Sequence, residues 1–98
     1  CKMEQITLKE KMQKAISDSY TLNKAIEMIE DALSLEDIKR GIRLIPDKVI
    51  LRISAELISF RLHDITRKDL VKVLKKQLVS LKRSARRYIK LYEKEENQ

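Results

Sequence analysis

His63 is the only imidazole in the chain, and it stands beside Asp64. A histidine next to a carboxylate has the composition of a general base with its orienting partner. No Ser or Cys nucleophile can be placed beside the pair, and a turn histidine bonded to a neighbouring carboxylate or helix end is the commoner use of such residues. Glu27, Glu30 and Asp31 share one face of a helix at metal-like spacing, yet they lack a histidine partner and read as a solvated patch. With a single glycine in the chain, no Gly-rich loop exists to cradle a nucleotide phosphate. The sequence therefore assigns no catalytic residue, metal ligand or cofactor, and a non-enzymatic role is expected.

The chemistry that remains is charge. Residues 1–66 hold eleven Lys/Arg and eleven Asp/Glu. Residues 67–94 hold eleven Lys/Arg against Asp69 and Glu93, and Glu95 and Glu96 bring the chain to +7. On a wheel of about 100° per residue, Lys68, Lys72, Lys75, Lys76, Lys82, Arg83, Arg86, Arg87, Lys90 and Lys94 fall within an arc of roughly 140°. Val71, Leu74, Leu78, Leu81, Ala85, Tyr88 and Tyr92 form an apolar seam on the other side. Like charges four residues apart repel by about 0.2–0.5 kcal/mol per pair. Six such pairs, including Lys68/Lys72, Lys82/Arg86 and Arg83/Arg87, together oppose the helix by ~1–3 kcal/mol at low salt. An uncompensated penalty of that size points to a negative partner.

Nucleic acid, DNA or RNA, is the first such partner, because a duplex presents one charge per ~1.7 Å of its axis and a basic stripe can lie along several phosphates. All ten stripe residues are candidate contacts. Tyr88 and Tyr92 belong to the seam, so base stacking is absent from the basic face and binding would be backbone-led and weakly sequence-specific. An accessory protein, such as a polymerase or nucleoprotein subunit, is the concrete form expected. The alternative is a protein-interaction or oligomerisation subunit whose basic helix docks on an acidic partner, which includes Glu27, Glu30, Asp31, Glu36 and Asp37 of a second copy. A membrane surface fits less well, since the apolar side would have to leave the fold and carries no Trp or Phe. A helix-turn-helix fits poorly too: the turn before residue 67 lacks glycine, and charges stand where Asn or Gln would read bases. Ser80 and Ser84 flank the stripe, and their phosphorylation would neutralise part of it.

The elements that must position this stripe are helical throughout. One Gly, one Pro and an abundance of Leu, Ile, Lys, Glu and Arg predict an all-α chain forming one domain over 1–98, with no internal repeat. Thr7 and Glu10 form a capping box that opens a helix over 8–33. Its seam, Leu8, Ala15, Leu22 and Ile29 with Met12, Ser19, Ile26 and Leu33, keeps phase through Ser17-Asp18-Ser19, so no break is placed there. Ser34 caps a short helix over 35–44, which Ile45-Pro46 ends. Nine of the fourteen residues from Val49 to Leu62 are apolar, which predicts a buried central helix over 46–62. Thr66 and Asp69 cap the last helix, over 67–93, and a frayed tail is expected over 94–98. The whole reads as a compact four-helix bundle.

Cys1 is the only cysteine, which excludes an intramolecular disulfide and a cysteine zinc site and suits a reducing, intracellular setting in cytoplasm, nucleoid or nucleus. No run approaches the ~18 apolar residues of a membrane span, and the first residues lack a signal-peptide core. A charged fraction of 38% leans weakly toward thermophile composition.

Overall fold

The computed structural model describes residues 7–96, so Cys1 and the last two residues of the expected tail lie outside the described residues. Five helices account for nearly all of the described chain: α1 Leu8–Glu30, α2 Leu35–Arg43, α3 Asp47–Arg52, α4 Ser54–Arg61 and α5 Arg67–Glu96. No strand is present among the described residues. None of these helices is long and apolar enough to cross a membrane.

The capping chemistry acts where the sequence places it. Thr7 Oγ1 accepts the Glu10 amide at 3.1 Å and opens α1, and Ser34 Oγ accepts the Asp37 amide at 3.2 Å and opens α2. The polar cluster in α1 does not interrupt it, because its hydroxyls return to the helix backbone: Ser19 Oγ donates to the Ala15 carbonyl and Thr21 Oγ1 to the Ser17 carbonyl, each at 2.9 Å. α1 ends at Glu30, three residues before its expected limit, and leaves Leu33 96% exposed.

α1 and α5 run antiparallel and share the largest interface in the molecule. The end of α1 meets the start of α5 through Glu30 and Lys75, while Lys11 to Asp18 lie alongside Leu81 to Tyr88. Leu22, Ala25, Ile26 and Ile29 from α1 interlock with Leu70, Val71, Leu74, Leu78 and Leu81 from α5, and Ile45, Val49 and Ile53 close the core. α2 crosses α1 at Gly41. A Cβ there would come within 2.6 Å of Ile29 Cγ1 and 3.2 Å of the Ala25 carbonyl oxygen, so the only glycine of the chain marks a close helix approach.

The expected central helix is the main correction. Residues 46–62 form two helices that break at Ile53, whose φ of −114° and ψ of 19° are not helical. Val49, before the break, and Ile53, at it, enter the core, and Leu57 and Phe60, after it, pack against that core half-buried. The segment is not surrounded. Leu51 is 78% exposed, Ile58 58% and Leu62 65%, and α4 buries no residue completely. The reason is thickness: the molecule measures 52 × 31 × 19 Å, and 19 Å admits two layers of helices about 10 Å across, with no third layer to cover a middle one.

Candidate nucleic-acid interface

The basic helix begins at a reciprocal cap. Thr66 donates its amide (3.1 Å) and its hydroxyl (3.0 Å) to Asp69 Oδ2, and Asp69 returns its own amide to Thr66 Oγ1 at 3.2 Å. The Thr66 amide, then its hydroxyl, hold the Asp69 carboxyl below its ordinary value of 3.8, with Lys72 and Lys68 contributing in the same direction. Beyond the cap, neither Gly nor Pro interrupts thirty residues rich in Leu, Lys and Arg. The seam fixes the rotation of this helix: Val71, Leu74, Leu78, Leu81 and Ala85 are buried, and Tyr88 and Tyr92 are half-buried at its end. Leu70, absent from the predicted seam, is also fully buried, because its wheel position adjoins the seam on the side away from the stripe.

With that face committed, all ten stripe residues, Lys68, Lys72, Lys75, Lys76, Lys82, Arg83, Arg86, Arg87, Lys90 and Lys94, are exposed on the helix that carries them. They are not equivalent. Lys75 Nζ lies 3.0 Å from Glu30 Oε2 across the α1–α5 interface, so its charge already has a partner. Lys68 and Lys72 flank Asp69. From Lys82 to Lys94, by contrast, no basic residue has an ion-pair partner among the described residues. There Arg83, Arg86, Arg87 and Lys90 line one shallow concavity on the outer face. Three guanidinium groups and an ammonium around one depression can donate paired hydrogen bonds to phosphate or carboxylate oxygens. Val79, 57% exposed, supplies an apolar patch midway along the stripe.

Arg67, the one basic residue of this helix outside the stripe, has a structural task. Its Nη1 donates to the Ala32 carbonyl at 2.6 Å, just beyond the end of α1, and reaches the Ile29 carbonyl at 3.4 Å, which also accepts the Ala32 amide. Ser80 is exposed, and Ser84 is half-buried beside Lys14 and Asp18.

His63 lies on an exposed turn, and its backbone is the informative part. It has a φ of 63°, donates its amide to the Phe60 carbonyl at 3.1 Å, and is followed by Asp64 donating to the Ser59 carbonyl at 2.8 Å. This is the left-handed closure of α4, a position usually held by glycine. Glu27, Glu30 and Asp31 are exposed, and no group of three His, Cys, Asp or Glu among the described residues is arranged to hold a metal ion.

Sequence reasoning missed a second surface, between α2 and the end of α4, floored by Leu35, Ile38, Ile42 and Phe60. The 35, 38, 42 spacing along a short helix was the available signal. The chain has no significant match to any protein-family model, curated protein or solved structure, so the functional reading rests on its own residues.

Proposed function

We propose that this is a non-catalytic, nucleic-acid-associated accessory protein that lays the outer face of α5 along a phosphate backbone. The observation that carries the reading is the run from Lys82 to Lys94: six exposed cations, none with an ion-pair partner among the described residues, four of them around one concavity. Lys68, Lys72 and Lys76 extend the same line toward the start of the helix, where Asp69 and Glu30 reduce the field. Contacts of this kind position a protein on a strand without reading its sequence.

Titration of duplex and single-stranded oligonucleotides of mixed sequence against salt tests the proposal. With about six phosphates neutralised, affinity should fall by roughly 10³-fold between ~50 and ~200 mM salt. Arg83→Glu combined with Arg87→Glu should abolish binding while the helical circular dichroism persists. Failure to bind either strand form at ~50 mM salt sinks the reading.

A second reading, a protein-interaction subunit, is favoured by a different observation. Leu35 of α2, Leu51 of α3, Ile58 of α4 and Leu62 at its C-cap are exposed, and none of them belongs to the helix that carries the stripe. Sedimentation of the full chain separates self-association, which would give a concentration-dependent mass, from a surface reserved for another protein.

A further inference from the structure

The apolar groove between α2 and the end of α4 is built differently from the basic stripe. Leu35, Ile38 and Ile42 stand at i, i+3 and i+7 along α2 and form one wall with a continuous apolar ridge, and Phe60 of α4 faces it. The groove has a volume of about 430 Å³. Lys39 and Arg43 of α2 line it on one side and Arg61 of α4 on the other, and no carboxylate lines it. Glu36 reaches Lys39 at 3.9 Å, but both side chains are more than half exposed, so this pair holds the lysine only weakly.

We propose that this groove binds an acidic amphipathic helix of a partner protein, with the partner's apolar residues at i, i+3, i+4 and i+7 on the Leu35–Ile38–Ile42–Phe60 floor and its flanking carboxylates against Arg43 and Lys39 on one side and Arg61 on the other. An amphipathic helix seated in an apolar groove is a recurrent recognition mode, and charges on both rims fix the sign of the occupant. A nucleic-acid backbone would meet the cations and gain nothing from the leucine and isoleucine floor. The proposal does not depend on the reading of the α5 stripe.

The test uses the full chain and two labelled helical peptides that share a leucine face at i, i+3, i+4 and i+7, one flanked by Glu and the other by Lys. The Glu peptide should bind at least about tenfold more tightly. Arg43→Glu with Arg61→Glu should reverse that order. Leu35→Asp, at a position 62% exposed and therefore tolerant of change, should weaken both peptides. Arg83→Glu with Arg87→Glu should leave both affinities unchanged, which separates failure of this site from failure of the stripe. Equal affinities, absence of saturable binding, or loss caused by the stripe variant instead of the groove variant would overturn the proposal. So would a dimer of the unmodified chain that Leu35→Asp dissociates, because the groove would then belong to a second copy.

Discussion

Residues 49–62 and 70–85 are both rich in large apolar side chains, yet the second stretch supplies much of the core while the first buries two of its side chains, packs three more against the core and leaves the rest exposed. Between 49 and 62, only Val49 and Ile53 are buried, whereas Leu70, Val71, Leu74, Leu78, Leu81 and Ala85 all are. The difference is arrangement. The apolar residues of α5 occupy one arc and can be covered by a single neighbour, α1. Those of the earlier segment point around the whole circumference, and in a molecule two helices thick only one side can be covered. Apolar content therefore reports what a segment could bury, and periodicity reports what it does bury.

The sharpest way to break this comparison is a matched pair of truncations. Leu74→Ala should destabilise the protein by about 2–5 kcal/mol, while Leu51→Ala should change stability by less than about 0.5 kcal/mol. Denaturant melts of the two variants check it, and equal losses would mean that Leu51 is covered in solution. Gly41→Ala comes next. The added methyl would meet Ile29 and Ala25 where α2 crosses α1, so a loss of about 1–3 kcal/mol is expected from the same melts.

At His63 a substitution should act in the opposite direction. Glycine relieves a left-handed conformation that opposes an L-residue by about 1–2 kcal/mol, offset in part by extra freedom in the unfolded chain. A net gain of up to about 1 kcal/mol in stability, read from denaturant melts, is expected for His63→Gly. Asp69 gives the smallest effect. Its carboxyl is held below its ordinary value of 3.8, so its contribution is complete above that value and disappears as pH falls through the lower folded one. Melts of the unmodified protein and of Asp69→Asn should differ at neutral pH and converge in that acidic window.

Much of the frame was legible because local chemistry sets it. The caps at Thr7, Ser34 and Thr66 start helices at Leu8, Leu35 and Arg67 as their hydrogen bonds require. Heptad spacing fixed which faces of α1 and α5 meet, and the stripe is the remainder of that assignment. What stayed illegible depends on tertiary context. Nothing in residues 46–62 marks Ile53 as the point where the helix must turn, since the break serves packing against α1 and α5. Gly41 reads as a neutral interior glycine until Ile29 is placed beside it. The α2–α4 groove joins residues about twenty positions apart, and no local pattern announces that Phe60 faces Ile38 and Ile42.

Arg67 ties the first residue of α5 to the end of α1 and the turn after it, through carbonyls 35 and 38 positions away in sequence. With the Lys75–Glu30 pair and the core shared by Ile29, Leu70 and Leu74, this bond fastens the two helix ends to each other. In hydrogen exchange they should open as a single cooperative unit, so that amides near Ile29 and Ala32 exchange at the rate set by the first turn of α5. A polyanion bound at Lys68 and Lys72, one turn from this fastening, would then slow exchange at the end of α1, a region it does not touch.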